Sequence, residues 1–283
     1  MLTVWKNIAV FLDASPASSR LGDYAAEIAR KHGAHLIGIY GINRVEDENP
    51  AGSYARGTEA LGRMLSAQKA ANEERVLFAG RHFSEISQGL DGGAEFRVVW
   101  NDRARQDPVL HSLHSDLVIV GHPKPHGIHH SWTADSLLRM TGIPILIVPD
   151  ARKVATTGEK VLVAWNASRE ARRAITDAMP FLISAKLVTV LVVDAHLGSG
   201  QFGEEPGADV AVHLARHGVR VEVTQIESDG APIGEVIAGE ASKQGSDLIV
   251  AGARSHARPT EILFGGITRT LLAGLTVPLL LSR

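Results

Sequence analysis

The sequence contains no cysteine. This excludes disulfide bonds, thiol nucleophiles and thiolate metal sites, and it is compatible with a reducing cytosol. An excess of charge of one sign is also lacking, because 29 Lys and Arg stand against 31 Asp and Glu, for a formal charge of -2. No strong overall field draws the chain to nucleic acid or to an acidic membrane, so we expect neither as a partner.

Long apolar runs are missing as well. Lys6 and Asn7 interrupt the first apolar stretch, which leaves no core for a signal peptide, and no later run approaches the roughly 18 residues that a membrane span needs. We therefore expect a cytoplasmic protein. The 45% apolar and 21% charged residues are typical of a globular chain. At roughly 150 residues a domain, 283 residues predict about two domains.

The two halves of the sequence repeat each other, which indicates a duplication. The offset between matching segments falls from 153 to 131 residues, so the second copy is shorter, and we expect the extra residues of the first copy around 41–60. The repeats predict domains at residues 1–150 and 159–283. The matching segments are Asp13-Ala-Ser15 with Asn166-Ala-Ser168, and Ser115-Asp-Leu-Val-Ile-Val-Gly121 with Ser246-Asp-Leu-Ile-Val-Ala-Gly252.

Within each copy, short runs rich in Val, Ile and Leu alternate with longer helical patterns. This alternation predicts an α/β fold of two doubly wound domains, each a five-stranded parallel sheet of order 3-2-1-4-5 with helices on both faces. Ser15 and Ser168 are expected to cap the first helix of each copy, with Pro16 and Glu170 in the first turns. The predicted strands are 7–12, 34–40, 94–100, 116–120 and 144–148, then 160–165, 187–193, 219–226, 247–251 and 277–281.

In such sheets ligands bind beyond the carboxyl ends of the strands, where the strand order reverses. In the second copy this places Asn166 near Gly252 and the loop that follows it. Gly265 and Gly266 precede a helix whose first N–H groups are unpaired, so an anion could approach the backbone there, and Thr268 could add a hydroxyl. Positive charge comes from Arg254, His256, Arg258 and Arg269. The alternative is a glycine pair that only lets the loop turn into the helix.

At these residues the chain resembles the tandem form of the universal stress protein family, along nearly its whole length. The nucleotide-binding members carry Gly, two residues, Gly, nine residues, then Gly followed by Ser or Thr. The positions of this pattern correspond to Gly252, Ser255, Gly265 and Gly266. Ser255 therefore replaces a glycine, and Gly266 replaces the hydroxyl residue, for which Thr268 could substitute.

The resemblance implies that the second domain binds ATP or another adenine nucleotide, with or without Mg²⁺. In binding members an Asp after the first strand recognises adenine, and Asn166 occupies that place in this sequence. Its amide oxygen could accept the adenine amino hydrogen without charge assistance. The alternative interpretation of Asn166 is an Asx turn at the strand end.

The first copy lacks the matching glycine cluster, since Ser131 stands opposite Gly265. Asp13 is therefore expected to cap the turn into the first helix, and only the second copy is predicted to bind a nucleotide. The shortened loop instead holds four histidines, at 122, 126, 129 and 130. They could reach one zinc ion, but the interpretation we favour is a solvated loop, and His213 with His217 is interpreted as one polar helix face. No metal site is predicted.

No catalytic motif is present, because the sequence has no Gly-x-Ser-x-Gly, His-Glu-x-x-His or Gly-x-x-x-x-Gly-Lys-Ser/Thr segment. His256 and Glu261 are the nearest groups that could orient water, and they serve equally well as loop anchors. Catalysis is therefore not predicted.

The closing strands, 145–148 and 279–281, are uniformly apolar and would be exposed edges if each domain stood alone. We expect them to pair, making an internal pseudo-dimer, as the resemblance also implies. A further homodimer is allowed but nothing in the sequence requires it. The leading hypothesis is a stress-response protein that acts by binding nucleotide and not by turnover. The alternatives are a nucleotide-independent scaffold for unknown protein partners and a slow, metal-assisted ATPase.

Overall fold

The computed structural model describes residues 4–43, 58–101, 107–122, 133–149, 156–197, 204–253 and 266–283. Strands and helices alternate along both repeats. The first repeat contains β1 (Asn7–Leu12), α1 (Pro16–His32), β2 (His35–Asn43), α2 (Thr58–Ile86), β3 (Ala94–Asn101), α3 (Asp107–Ser112), β4 (Leu117–His122), α4 (Ala134–Thr141) and β5 (Ile145–Pro149). The second contains β6 (Lys160–Ala164), α5 (Arg169–Ser184), β7 (Leu187–Val193), α6 (Ala208–Arg216), β8 (Val221–Ile226), α7 (Ile233–Gln244), β9 (Leu248–Gly252), α8 (Gly266–Ala273) and β10 (Leu279–Ser282).

The contacts divide the chain into two compact units. One is residues 6–137, in which parallel strands follow the order β3-β2-β1-β4. The other is residues 138–283 together with Trp5, whose ring packs edge-on against Phe181 with centroids 4.6 Å apart. Its strands follow the order β5-β10-β9-β6-β7-β8. The strands of the second repeat are all parallel and have the predicted order 3-2-1-4-5.

The closing strands of the two repeats pair with each other, as predicted. β5 and β10 are antiparallel, with Leu280 opposite Leu146 at the middle of the pair. Every residue of both strands is buried. The apolar edges are therefore covered within the second compact unit, which relieves the exposure that a bare apolar edge would create.

The first helix of each repeat begins as predicted. The Ser15 hydroxyl accepts a hydrogen bond from the Ser18 backbone N–H at 3.1 Å, and the Ser168 hydroxyl accepts one from the Ala171 N–H at 3.1 Å. Pro16 is the first residue of α1. None of the helices within the described residues combines the length and the apolar character needed to cross a membrane.

Each repeat has one aspartate that holds the starts of two neighbouring strands together, and the two aspartates are equivalent in the sequence repeat. Asp116, just before β4, accepts hydrogen bonds from the backbone N–H groups of Lys6 and Asn7 at 2.7 and 2.9 Å. Asp247, just before β9, accepts from Glu159 and Lys160 at 3.1 and 3.0 Å. The Ser-Asp-Leu match seen in the sequence is therefore a strand-start contact, and it fixes β6 beside β9 below the candidate site.

The expected location of the extra residues in the first repeat, 41–60, is wrong. The segments 44–57 and 194–207, which precede the second helix of each repeat, are equally long. The helices differ instead, since α2 has 29 residues and α6 has nine. The first repeat is longer mainly because its second helix has more turns.

We expect Asp247→Asn to lower the free energy of unfolding by about 1–3 kcal/mol, because a donor amide would face one of two backbone N–H groups. Urea unfolding of the full chain measures this. Asp91→Asn, at an exposed turn residue, should stay within about 0.5 kcal/mol of the parent. Equal effects of the two substitutions would contradict the role given to Asp247.

We also expect stability to fall on acidification through His32. Burial, followed by the nearby Lys31 charge, lowers the pKa of His32 to about 4. The unfolded chain therefore binds more protons than the folded one, so this contribution is complete above about pH 6.5 and is lost as the pH falls towards 4. Because His32 is only partly buried, we expect about 1–2 kcal/mol. Denaturant titrations between pH 7 and 4 should show a shallower pH dependence for His32→Gln, and an unchanged slope would contradict this assignment.

Candidate functional site

A cavity of about 190 Å³ lies at the carboxyl ends of the strands in the second repeat. It sits where β6 lies between β7 and β9, the place at which the order of the sheet reverses. Ligand sites in doubly wound sheets favour this position. The cavity is lined by Ala164, Trp165, Asn166, Leu191, Val193, Ile233, Ile237, Ala251, Gly252, Gly266, Ile267, Thr268 and Leu271.

The walls of the cavity are mainly apolar. Isoleucines from α7, branched side chains from β7 and apolar residues of β6, β9 and α8 supply them, while Asn166 and Thr268 add polar groups. Within the described residues, no charged side chain lines the cavity. Such a lining accommodates a flat, uncharged group and leaves orientation to a few polar contacts.

The amino end of α8 forms one side of this cavity. Gly266 is its first residue, and a Cβ built there would have no heavy atom of the described residues within 4 Å. The first N–H groups of an α-helix have no partner within the helix, and the helix dipole favours negative charge beside them. Thr268, which is 5% exposed, lines the cavity one residue beyond Ile267. Within the described residues, nothing blocks the approach of an anion to Gly266.

Gly234 allows α7 to lie close to α8, and no feature of the sequence singled it out. A Cβ at this residue of α7 would lie 2.6 Å from the Ile267 carbonyl oxygen and 2.8 Å from the Leu271 nitrogen. Because those are backbone atoms of α8, a side chain at position 234 would force the two helices apart. The neighbouring Ile233 and Ile237 reach the cavity from the same helix.

Gly252 permits a second close approach. A Cβ there would lie 2.4 Å from the Ala171 nitrogen and 2.5 Å from the Glu170 carbonyl carbon. The first turn of α5 therefore rests directly on the end of β9. Gly252 does line the cavity, as expected, but its missing side chain makes room for a helix of the protein itself.

Asn166 forms the Asx turn that was one of its two interpretations. Its Oδ1 accepts hydrogen bonds from the Ser168 backbone N–H at 3.2 Å and from the Ser168 hydroxyl at 2.6 Å. Ala167, between them, has a φ of +54°, a left-handed conformation that costs a residue with a Cβ about 1 kcal/mol or more. The turn is thus held tightly, with Asn166 exposed at the cavity.

A negative charge stands on the β7 side of the cavity. Asp194 directly follows Val193, and its Oδ1 accepts a hydrogen bond from the Ser228 backbone N–H at 2.7 Å. Hydrogen bonds from the Ser228 hydroxyl and backbone lower the pKa of the Asp194 carboxyl. Asp194 itself does not line the cavity, so its carboxylate only adds negative charge next to Val193, the last residue of β7 that does.

The first repeat holds an aspartate in the equivalent turn. Asp13 Oδ1 accepts a hydrogen bond from the Ser15 backbone N–H at 2.6 Å, while the Ser18 hydroxyl accepts one from the Asp13 N–H at 2.7 Å. Asp13 Oδ2 is buried without a hydrogen-bond partner among the described residues. The capping role expected for Asp13 is therefore present, and one carboxylate oxygen remains unused.

The structure brings four of the six predicted site residues to one cavity: Asn166, Gly252, Gly266 and Thr268. Ser255 and Gly265 lie outside the described residues, as do Arg254, His256, Arg258 and Glu261. The same holds for Ser131 and for the histidine loop beyond His122.

On α6, the His213 and His217 rings pack edge-on with centroids 4.8 Å apart, and burial lowers the pKa of His213. In the part of the chain that is described, no three acidic or histidine side chains form a group suited to a metal ion.

Residues 158–283 match the model of the universal stress protein family. A universal stress protein from Archaeoglobus fulgidus DSM 4304 has 16% identity and a TM-score of 0.67, with 98% of each chain covered. A functionally unknown protein from Pseudomonas aeruginosa PAO1 has 18% identity and a TM-score of 0.58, covering 99% of this chain and 93% of its own. A search of curated proteins found no significant match.

A further solved structure is a universal stress protein in complex with cAMP, a ligand that belongs to that protein. It covers 52% of this chain and 99% of its own, at 17% identity and a TM-score of 0.32. Residues 158–283 of the present chain form a domain of the universal stress protein family. The two full-length structural matches show the same α/β fold along the chain and fit a two-domain form.

We expect Gly252→Ala to lower the melting temperature far more than Gly121→Ala, the equivalent change in the first repeat. At Gly252 the new methyl group would overlap backbone atoms of α5, whereas at Gly121, among the described residues, it would meet only a Leu21 methyl carbon at 3.7 Å. Overpacking of this kind costs about 1–3 kcal/mol, and rigid backbone puts Gly252 at the upper end. Scanning calorimetry compares the two variants, and similar melting temperatures would contradict the close approach.

Proposed function

We propose that the second repeat binds ATP or a related adenine nucleotide, with or without Mg²⁺, in the cavity between β6, β7, β9 and α8. The protein would then act in the stress response by binding and not by turnover, in the cytoplasm. The observation that carries the proposal is the combination of apolar walls with the open helix end at Gly266. A base suits the walls, and phosphate suits the unpaired N–H groups.

The charges around the cavity favour one orientation of this ligand. Asp194 makes the β7 side unfavourable for phosphate, while the α8 dipole attracts it. No carboxylate belongs to the described lining of the cavity, so no lining side chain would repel a triphosphate bound beside α8. The base would thus lie towards β6 and β7, and the phosphates towards Gly266.

The rival proposal is a scaffold that signals through protein partners without nucleotide. One observation favours it: the Asn166 oxygen, expected to contact adenine, already accepts two hydrogen bonds from Ser168. The paired strands β5 and β10 support an internal pseudo-dimer under either proposal. Partners of the whole chain, including a second copy of it, would bind outside that pair.

We expect ATP with Mg²⁺ to stabilise the full-length protein, by about 2.7 kcal/mol at a ligand concentration 100 times Kd. Gly266→Asp should weaken binding roughly tenfold or more, because its carboxylate would face the phosphates. The variant should still fold, since position 266 is open and an acidic residue suits a helix start. Thermal-shift titrations and calorimetry measure both effects.

Gly266→Asn is the matched control, because it adds a side chain of the same size without charge. It should bind ATP much more tightly than Gly266→Asp does. Absence of any shift at millimolar ATP in the parent would support the scaffold. Release of ADP in step with ATP consumption would instead support the slow ATPase.

A further inference from the structure

The α7 residue Gly234 lies directly against the backbone of α8. A Cβ at position 234 would lie 2.6 Å from the Ile267 carbonyl oxygen, 2.8 Å from the Leu271 nitrogen and 3.0 Å from the Thr270 Cβ. In an α-helix the N–H of each residue donates to the carbonyl four residues earlier, so Leu271 and Ile267 belong to one turn of α8. Gly234 itself is buried. Its missing side chain therefore determines how closely this turn of α8 lies against α7.

A side chain at position 234 would displace the start of α8 more than it displaces α7. The helix α7 is anchored by Ile237 and Ala241, which are 4% and 1% exposed. The first two residues of α8, Gly266 and Ile267, are exposed, and the buried residues of this helix come after them. Non-bonded carbon atoms normally stay about 3.5 Å or more apart, so a methyl group would require a shift of several tenths of an ångström. The least buried backbone at the contact takes up this shift.

The start of α8 is the part of the proposed site that would hold phosphate. Its first N–H groups have no partner within the helix, and Gly266 and Thr268 line the cavity. Hydrogen bonds from N–H groups to oxygen span only about 2.7–3.2 Å, so a shift of several tenths of an ångström weakens them. The apolar walls that β6 and β7 supply belong to other elements. Displacement of α8 therefore reduces the contacts to phosphate more than the contacts to a base.

The sequence of the first repeat has no glycine at the position that corresponds to Gly234. Counted back from the matched residues Ser115 and Ser246, position 234 corresponds to Arg103. The glycine is therefore particular to the second repeat, which is also the repeat that is predicted to bind a nucleotide.

Resting on the nucleotide site proposed above, we propose that Gly234 is a positioning residue that determines how strongly this site binds phosphate. Gly234 acts through α8 and not through contact with the ligand. The close approach of α7 places the first N–H groups of α8 where a triphosphate can accept hydrogen bonds from them. The apolar walls bind the base with or without this approach, so Gly234 controls the preference of the site for ATP over adenosine.

The test is a set of calorimetric titrations of the full-length protein with ATP and with adenosine at one Mg²⁺ concentration. The variants are Gly234→Ala and its matched control Gly239→Ala, an exposed position of the same helix where a Cβ would meet no heavy atom of the described residues within 4 Å. We expect Gly234→Ala to weaken ATP binding roughly tenfold or more, since one hydrogen bond to a charged group is worth about that factor. Its affinity for adenosine should change less than about threefold, and Gly239→Ala should keep both affinities within about twofold of the parent.

Hydrogen exchange of the parent protein provides a second measurement, which does not depend on whether Gly234→Ala folds. ATP should slow the exchange of the amides in the first turn of α7 more than adenosine does, because phosphate bound at α8 stabilises the helix against which this turn packs. Unchanged ATP affinity in Gly234→Ala, equal losses of ATP and adenosine affinity, or equal protection of α7 by both ligands would overturn the role of Gly234 and leave the nucleotide site standing. No binding of ATP to the parent would overturn both proposals.

Discussion

The cavity of the second repeat depends on two close contacts between backbone segments, and a glycine makes each contact possible. Gly252 lets the first turn of α5 rest on the end of β9, and Gly234 lets α7 approach α8. Both contacts fall below 3 Å for any Cβ, so neither position accepts a side chain without movement of a helix. The lining residues from α7 and α8 reach the same space only because these approaches are made. The site therefore depends on shape that is set outside its polar groups.

The two repeats share a framework and differ at the place where a ligand would bind. Asp116 and Asp247 hold the strand starts in the same way, and Ser15 and Ser168 cap equivalent helices. At the carboxyl ends the chemistry diverges: Asp13 corresponds to Asn166, and Leu12 corresponds to Trp165. Constraints on the starts of the strands thus preserve the sheet, while the opposite ends are free to differ. This is the pattern expected when binding residues lie on loops supported by a rigid scaffold.

Most of the sheet could be predicted from the sequence, because buried parallel strands read as short apolar runs and the duplication showed each run twice. The pairing of β5 with β10 followed from the same reasoning about apolar edges. The length of α2 did not, since offsets between repeats locate an insertion only to the interval between two matched segments. Gly234 was missed for a different reason. A glycine near the start of a helix is unremarkable in sequence, and only the crossing of α7 with α8 reveals what it permits.

The candidate site was predictable in its position but not in its hydrogen bonding. The strand ends and Gly266 were expected where they are found, yet the two donors that engage the Asn166 oxygen depend on a turn geometry that the residue types alone leave open. The most direct test of nucleotide binding in the second repeat is a crystal structure of the full chain grown with excess ATP and Mg²⁺. We expect a nucleotide in this cavity, with phosphate oxygens within hydrogen-bond distance of the first N–H groups of α8. An empty cavity at saturating nucleotide, or phosphates bound elsewhere, would contradict this expectation.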